Sequence, residues 1–393
     1  MKENKKRAII IVMDSLGVGA LPDAGEFGDE GANTFGNIVK SMPDIKIPNL
    51  RSLGIGNIEG LDELNIFVEN PTGAYGRMAE ASKGKDTITG HWELTGILTE
   101  NPFKTYEKFP QKFMEEFEKN IGVGTLGNYA ESGTVILEKL GPEHERTGKP
   151  IIYTSADSVF QIAANVDIIP LARLYGMCEI AMEMLVGDVA VGRVIARPYI
   201  KKDGERIRTS DRKDYSVAPP CKTLLDHVKD SGQEVIAIGK ISDIFSGQGV
   251  SESIHTEDND DGVDKTIEVI RGSGGGLIFT NLVDFDSKFG HRRDVNGYGK
   301  AIERFDERLP EILGALKDED LLFLCADHGN DPSHTGWDHT REYVPVLVSG
   351  KSVGKSVNLG TLCSFADLGA TISDHLGVTK CALGKSFLDR IRN

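Results

Sequence analysis

Four short apolar runs, each followed by a charged residue, constrain the fold more than any other feature of this sequence. The runs are residues 8–13, 234–239, 276–283 and 321–326, and the residues that follow them are Asp14, Lys240, Asp284 and Asp327. Continuous runs rich in Ile, Val, Leu and Phe are typical of strands that are buried on both faces of a sheet. The sequence therefore predicts a central sheet flanked by helices.

The segment between the last two runs indicates how the strands are connected. Residues 297–316 place apolar side chains at helical spacing. A strand, an amphipathic helix and a second strand form a βαβ unit, which predicts an α/β fold with a mostly parallel sheet. Because ligands bind such sheets beyond the carboxyl ends of the strands, we expect the polar residues after the apolar runs to share one site.

The middle of the chain predicts a second, smaller α/β domain inserted into the first. It contains Pro102, Pro110 and Pro142, and its stretch from Arg193 to Lys213 has eight Lys or Arg against three acidic residues. We predict a core domain made of residues 1–100 and 217–393, and a cap domain made of residues 101–216.

Composition excludes some partners. The formal net charge of −15 argues against binding to nucleic acid or to an anionic membrane surface. The five cysteines are an odd number without a CxxC spacing, which is typical of free thiols in a reducing compartment. The apolar run at residues 8–13 is too short for a signal peptide, and no run approaches the length of a membrane span. We therefore expect a cytoplasmic protein.

The strongest signal for chemistry is the sequence Asp327-His328-Gly329, which follows the last apolar run. Neighbouring side chains on a strand point to opposite faces, so the chain must turn here for both to reach one site, and Gly329 permits a turn. A carboxylate beside an imidazole suits Mn or Zn better than Ca. Further carboxylates and histidines lie near in sequence, at Asp284, Asp286, His291, His334 and His339. One such pair can be a strand-end cap beside a satisfied histidine, but several clustered pairs favour a metal site.

Two further residues have both a functional and a structural interpretation. Asp14 is either the N-cap of a helix or a group that lies beside Asp327 at the edge of the sheet. Thr87 is a candidate nucleophile, because a two-metal site would activate its hydroxyl and polarise a phosphoryl group. Alternatively, Thr87 or Thr89 caps the following helix, and the pattern does not select Thr87 over Thr89 or Ser82. His91 and Trp92 are expected to be packing residues.

Seven ordered blocks along nearly the whole chain are similar to the alkaline phosphatase superfamily and, within it, to the phosphopentomutase family. They are MDSLGVG, GKDTITGHWE, YTSAD, VGRVIARP, IGKISDI, NLVDFDSKFGHRRD and ADHGNDP with HTREYVP. The resemblance implies an alkaline-phosphatase-like core with an inserted cap. It also implies an isomerase that interconverts ribose 1-phosphate and ribose 5-phosphate, and the 2-deoxyribose equivalents, through a phosphothreonine at a two-manganese centre.

The resemblance also implies roles for individual residues. Two Mn²⁺ ions per chain would be held, the first by Asp14, Asp327, His328 and the Thr87 oxygen, and the second by Asp286, His291 and His339. Thr87 would be the phosphorylated residue, Asp286 rather than Asp284 a ligand, and His334 a residue that supports the ligands. The pentose phosphate would be bound by Ser155, Asp157, Arg193, Arg208 and Lys240. A sugar bisphosphate would prime the threonine in a monomeric enzyme.

One block departs from the family pattern. Residues 127–134 read GNYAESGT where the family suggests Lys-Pro-Ala before Ser-Gly-Thr, and Glu131 would repel a phosphate if it faced one. Three other functions are also considered. They are a metal-dependent phosphomonoesterase or phosphodiesterase of the same superfamily, a phosphoglycerate mutase that uses serine, and a catalytically silent metal-binding protein.

Overall fold

The computed structural model describes residues 6–155, 158–272 and 274–392. Contacts between residues divide the chain into two compact units. The first, called the core unit, is made of Met1–Pro102 and Pro219–Asn393, and the second, called the inserted unit, is Phe103–Ala218. Each unit is described by itself below.

The described residues form strands whose lengths run from three to ten residues. In chain order they are β1 (Arg7–Met13), β2 (Ala74–Met78), β3 (Leu126–Ala130), β4 (Ile151–Thr154), β5 (Val159–Asn165), β6 (Arg193–Lys202), β7 (Glu205–Arg208), β8 (Lys213–Ser216), β9 (Glu234–Ile238), β10 (Glu252–Ile254), β11 (Gly276–Leu282), β12 (Asp320–Cys325), β13 (Val344–Ser349) and β14 (Val357–Leu362).

Helices are interspersed with the strands along the chain. They are α1 (Thr34–Ser41), α2 (Pro48–Leu53), α3 (Thr87–Leu94), α4 (Gln111–Ile121), α5 (Gly133–Thr147), α6 (Leu171–Met184), α7 (Leu224–Asp230), α8 (Ile241–Ile244), α9 (Asn259–Arg271), α10 (Val295–Ala315), α11 (Ala366–Leu376) and α12 (Leu388–Ile391). Short 3-10 turns lie at Ala24–Phe27, Ile55–Asn57, Asp62–Leu64 and Gly187–Val189, and a π-helical turn at Phe285–Gly290. None of the helices in the described ranges is both long and apolar enough to cross a membrane.

The core unit is built on an eight-stranded sheet with the strand order β10-β9-β11-β1-β12-β13-β2-β14. The five strands from β10 to β12 are parallel, β13 is antiparallel to both of its neighbours, and β14 is parallel to β2. The four strands predicted from apolar runs are β1, β9, β11 and β12. The predicted helix is α10, and it connects β11 to β12, which pair with the two edges of β1. The prediction of a mostly parallel sheet in an α/β fold is confirmed.

The inserted unit has its own mixed sheet, with the order β3-β4-β5-β6-β7 and with β8 also paired to β6. Alternate residues of its strands face two separate apolar clusters. Ile152, Phe160 and Ile162 pack with α4 and α6, where Phe113 and Phe117 contribute aromatic rings. Ile151, Tyr153 and Ala163 point the other way and pack against α5. This unit therefore has its own hydrophobic core on each face of its sheet.

A buried ion pair joins β1 to β12 at the amino ends of these strands. Arg7 and Asp320 lie opposite each other in the pairing register. Arg7 Nε donates to Asp320 Oδ1 at 2.8 Å, and Arg7 Nη2 donates to Asp320 Oδ2 at 2.5 Å. Arg7 Nη1 donates to the Ile270 carbonyl oxygen at 2.6 Å. Both side chains are almost fully buried, so removal of one would leave the other buried without a partner.

Replacing Asp320 with asparagine should lower the free energy of unfolding by about 3–5 kcal/mol, because Arg7 would remain buried without a counter-charge. Urea denaturation would measure the change. Asp318→Asn is the matched control, since its pair with Lys351 is exposed and should contribute less than about 1 kcal/mol. An equal loss of unfolding free energy in the two variants would show that the buried Arg7–Asp320 pair contributes no more to stability than the exposed pair.

Candidate metal centre

The carboxyl ends of β1, β11 and β12 bring the polar residues of three distant segments to one edge of the core sheet. Asp14 directly follows β1, and Asp327 and His328 follow β12 by two and three residues. Asp286 lies in the π-helical turn after β11. Because the three strands are parallel and adjacent, their carboxyl ends lie side by side. The polar residues that follow the apolar runs therefore meet there.

Asp14, Asp327 and His328 form a first cluster, and all three are buried. His328 Nε2 lies 3.5 Å from Asp14 Oδ1 and 3.3 Å from Asp327 Oδ2. The same nitrogen lies 3.2 Å from the hydroxyl oxygen of Thr87. Asp14 Oδ1 is buried and accepts no hydrogen bond from any described residue. Buried carboxylate oxygens without a donor are costly, so this geometry fits a bound cation.

Asp286, His291 and His339 form a second cluster. Asp286 Oδ2 lies 3.2 Å from His291 Nε2, and Asp286 Oδ1 lies 3.6 Å from His339 Nε2. The two Nε2 atoms are 3.0 Å apart. The rings of His328 and His339 stack with 4.0 Å between their centroids, so the two clusters adjoin.

Backbone carbonyl groups orient the three histidines in the same way. The Nδ1 atoms of His291, His328 and His339 lie 3.2, 3.1 and 3.1 Å from the carbonyl oxygens of Trp337, Gly329 and Lys85. A carbonyl oxygen can only accept, so each Nδ1 carries a hydrogen and Nε2 is the ring nitrogen that faces the cluster. Imidazole nitrogens that converge with carboxylate oxygens suit a divalent metal of the Mn or Zn type.

Charge crowding changes the protonation of these groups. Burial, with added repulsion from Asp327 and Asp286, raises the pKa of Asp14 to about 7. Burial also acts to raise the pKa of Asp327 and Asp286, but nearby histidines outweigh it and hold both below the ordinary value. Burial would lower the pKa of His328, but the surrounding carboxylates raise it to about 9. Positive charge is therefore strongly favoured between the two clusters.

Each carboxylate of the two clusters has one oxygen fixed by a donor from elsewhere in the fold. Asn281 Nδ2 donates to Asp14 Oδ2 at 2.8 Å, and Asn330 Nδ2 donates to Asp286 Oδ1 at 2.7 Å. The backbone N–H of Ser15 donates to Asp327 Oδ1 at 3.1 Å, with Ser15 in the left-handed region at φ 68°. These bonds leave the second oxygen of each carboxylate directed to its cluster. Sequence reasoning missed all three donors, and the only available signal was their position inside the family-like blocks.

Thr87 is the first residue of α3, but it does not cap the helix. Asp86 is the N-cap, and its Oδ1 accepts from the backbone N–H groups of Ile88 and Thr89 at 3.1 Å each. The Thr89 hydroxyl donates to Asp86 Oδ2 at 2.7 Å, and the Ser82 hydroxyl accepts from Thr99 N–H at 3.1 Å. The interpretation in which Thr87 or Thr89 caps the helix is therefore wrong. Of the three candidate hydroxyls, Thr87 is the one in contact with the first cluster.

The structure also decides how Asp14 and Gly329 should be interpreted. No helix begins at Asp14, so its interpretation as an N-cap is wrong. Gly329 does not have a positive φ, so left-handed turning is not the reason for a glycine there. A Cβ at this position would lie 2.4 Å from Glu342 Oε1, and close packing against Glu342 is the physical reason.

Three other residues near the clusters in sequence, Asp284, His334 and His91, make different contacts. Asp284 Oδ2 accepts from the Asn259 N–H at 3.1 Å and pairs with Lys288 at 2.9 Å, whereas Asp286 enters the second cluster. His334 Nδ1 lies 3.0 Å from the carbonyl oxygen of Thr335. His91 stacks on Phe279, as expected for a packing residue. In addition, His91 Nδ1 is 2.9 Å from the Thr87 carbonyl oxygen and 3.1 Å from Asp327 Oδ2, so it also contacts the site.

The predicted substrate residues are distributed over both units. Lys240 follows β9 in the core unit, at the same sheet edge as the clusters, and is exposed. Ser155 follows β4, Arg193 begins β6 and Arg208 ends β7 in the inserted unit. Arg193 Nη1 lies 3.7 Å from Asp214 Oδ2, and Arg208 packs against Gly133. Asp157 lies outside the described residues.

Glu131, in the block that departs from the family pattern, is paired within the inserted unit. Its Oε2 lies 2.6 Å from Lys139 Nζ, and its Oε1 accepts from the Ser132 N–H at 3.0 Å. These donors lower the pKa of Glu131. The carboxylate therefore carries a charge that Lys139 compensates.

Comparisons with known proteins agree with this geometry. The model of the metalloenzyme superfamily matches residues 6–380. The phosphopentomutase of Alkaliphilus metalliredigens is 58% identical over 382 residues, which cover 97% of this chain and 98% of that protein. The phosphopentomutase of Acetivibrio thermocellus is 55% identical over 387 residues, which cover 98% of this chain and 100% of that protein.

A solved structure supports the fold independently. A protein from Pyrococcus horikoshii is similar with a TM-score of 0.50 at 14% identity, over 97% of this chain and 100% of that one. Such a distant likeness shows the α/β fold alone, whereas the close relatives show the family. The chain therefore belongs to the phosphopentomutase family, within the metalloenzyme superfamily, and is an isomerase.

Proposed function

We propose that this enzyme interconverts ribose 1-phosphate and ribose 5-phosphate, and the 2-deoxyribose equivalents, through a phosphorylated Thr87. The observation that carries the proposal is the Thr87 hydroxyl oxygen, which lies 3.2 Å from His328 Nε2 at the first of two adjoining clusters. The first metal would be held by Asp14, Asp327, His328 and Thr87, and the second by Asp286, His291 and His339. Two Mn²⁺ ions, when bound, would favour the alkoxide form of Thr87 and neutralise charge on a phosphoryl group.

The proposed reaction consists of two transfers. Phosphorylated Thr87 donates its phosphoryl group to the free sugar hydroxyl, whose proton replaces the phosphoryl group on Thr87 Oγ1. The sugar bisphosphate then turns around, and its other phosphate returns to Thr87 while the sugar oxygen regains a proton. A sugar bisphosphate would prime the threonine in the same way, which accounts for its predicted role as activator.

A mutase of this type must keep water away from its phosphothreonine. We propose that the inserted unit is the predicted cap domain, and that it supplies Ser155, Asp157, Arg193 and Arg208 to the substrate, with Lys240 coming from the core. Arginine binds phosphate through two parallel hydrogen bonds, and the basic stretch in the inserted unit provides that chemistry. The proposed enzyme is a monomer in the cytoplasm, and its five unpaired cysteines are typical of a reducing compartment.

Incubation of the manganese-loaded enzyme with ribose 1-phosphate and a trace of sugar bisphosphate should yield ribose 5-phosphate without inorganic phosphate. Phosphorus NMR would follow both products in one sample. The expectation rests on transfer of the phosphoryl group to a sugar rather than to water. Stoichiometric release of inorganic phosphate would instead identify a phosphomonoesterase of the same superfamily.

Thr87→Ala should lower kcat by at least about a thousandfold, because no oxygen would remain to carry the phosphoryl group. Thr87→Ser keeps the hydroxyl and should retain activity within about tenfold of the parent. Mass spectrometry of the parent enzyme should show a phosphate on Thr87 after exposure to sugar bisphosphate. A fully active Thr87→Ala variant would exclude the covalent mechanism.

Asp286→Asn should weaken binding of one of the two Mn²⁺ ions by at least about tenfold and reduce turnover. Asp284→Asn is the matched control, because its carboxylate bonds to Asn259 and Lys288 rather than entering a cluster. Equilibrium dialysis with elemental analysis would count the bound metal. Loss of metal in the Asp284 variant but not in the Asp286 variant would reverse our ligand assignment.

A further inference from the structure

Arg341 is a fully buried arginine in the core unit, and none of the roles described above involves its side chain. It lies two residues after His339 and is 2% exposed. Its guanidinium group reaches the segment that leads to Thr87, defined here as the nucleophile segment, residues 80–87. Burying an arginine is costly unless its donors are satisfied, so the partners of Arg341 indicate what it does.

Two atoms of the guanidinium group bind both ends of a short loop in the nucleophile segment. Arg341 Nη1 donates to Glu80 Oε2 and to the carbonyl oxygen of Gly84, each at 2.7 Å. Arg341 Nη2 donates to the Glu80 carbonyl oxygen at 3.1 Å. The loop from Glu80 to Gly84 is therefore closed around a single side chain.

The opposite edge of the same group is held by a second segment. Arg341 Nε and Nη2 donate to the two carboxylate oxygens of Asp23, at 3.1 and 3.0 Å. The Phe27 ring lies 5.1 Å from the guanidinium carbon. A bidentate pair and a stacked ring fix the plane of the group, which a lysine cannot reproduce.

Residues next to Arg341 make further contacts to the nucleophile segment. His339 Nδ1 donates to the Lys85 carbonyl oxygen across 3.1 Å. Asp29 Oδ2 accepts both from the Arg341 N–H and from Lys85 Nζ, each at 2.9 Å. Residues 339–341 thus contact the nucleophile segment at Glu80, Gly84 and Lys85, and Thr87 follows two residues later.

We infer that Arg341 is a positioning residue that holds the Thr87 hydroxyl against the first cluster. The inference rests on the proposed role of Thr87 as the nucleophile. A displacement of about 1 Å at a reacting group can cost about a hundredfold in rate, so rigid support of this segment has a direct consequence for transfer. The competing explanation is that Arg341 only compensates the buried charge of Glu80, with which it forms an ion pair at 2.7 Å.

Two single variants and one double variant distinguish a positioning role of Arg341 from charge compensation alone. Arg341→Met removes the charge and every guanidinium bond, and should lower kcat about a hundredfold while KM stays within about threefold. Arg341→Lys keeps the charge next to Glu80 but lacks the planar fork, and should still lose at least about tenfold in kcat. Adding Glu80→Gln to Arg341→Met removes the uncompensated charge, and should raise the thermal midpoint of that variant without restoring kcat.

Readouts other than turnover test whether the effect is one of positioning. Each variant should bind as many Mn²⁺ ions as the parent, because the ligand side chains are unchanged. Formation of phosphothreonine from sugar bisphosphate, followed by quenched-flow mass spectrometry, should slow by the same factor as kcat. Arg77→Met is the matched control, since Arg77 stacks on Tyr343 and contacts Glu59 and Thr361, away from the nucleophile segment. It should lose stability but keep the parent rate of phosphorylation.

The outcomes also distinguish this inference from the proposed function. Recovery of kcat in the double variant, or a parent-like rate in Arg341→Lys, would show that Arg341 acts through the charge of Glu80 alone. Loss of bound metal in parallel with kcat would likewise overturn the inference. If Thr87→Ala is inactive and both single Arg341 variants phosphorylate normally, only the inference fails. An active Thr87→Ala variant would instead remove the mechanism on which the inference rests.

Discussion

Parallel pairing of β11, β1 and β12 is the constraint on which the candidate metal centre depends. The register places Met13 opposite Leu282 and Val12 opposite both Asn281 and Cys325, so the three chains leave the sheet at nearly the same level. Asp14, Asp286 and Asp327 then lie within a few residues of that level. A shift of one residue in any strand would turn its side chains to the opposite face. The buried Arg7–Asp320 pair lies in the same register at the opposite ends of β1 and β12.

Three carboxylates lie close together at one edge of the core sheet and repel one another. The hydrogen bonds of the described residues compensate this repulsion only in part. Asn281, Ser15 and Asn330 each donate to one oxygen of a cluster carboxylate, and backbone carbonyl groups accept from the Nδ1–H groups of His291, His328 and His339. Asp14 Oδ1 is buried without a donor among the described residues, and burial with like charge raises the pKa of Asp14 to about 7. Bound cations would complete the set, and the donors outside the clusters would orient the carboxylates toward them.

Local patterns predicted much of this structure, and long-range packing accounts for what they missed. The apolar runs predicted β1, β9, β11 and β12 because a strand that is buried on both faces has a continuous apolar sequence. Such a run can be recognised without knowing which strands lie beside it. The antiparallel strand β13 has a similar apolar pattern, so periodicity alone could not show its direction. Ser15 bonds to Asp327 across 312 residues, and neither Asn281 nor Arg341 has a local signature. The N-cap at Asp86 was missed although its signal is local, since an aspartate before a helix is a common N-cap.

In the proposed mechanism, the position of Thr87 at the start of α3 would place the charge of a transferred phosphoryl group at the two clusters rather than at the helix N-terminus. A helix N-terminus can bind phosphate through its free N–H groups. Here Asp86 Oδ1 already accepts from Ile88 and Thr89, so those two donors are occupied. The Asp86 carboxylate also adds negative charge next to the Thr87 hydroxyl. In the proposed mechanism, stabilisation of the phosphoryl group would therefore come mainly from the side of His328, and Arg341 and His339 contact the nucleophile segment on that side.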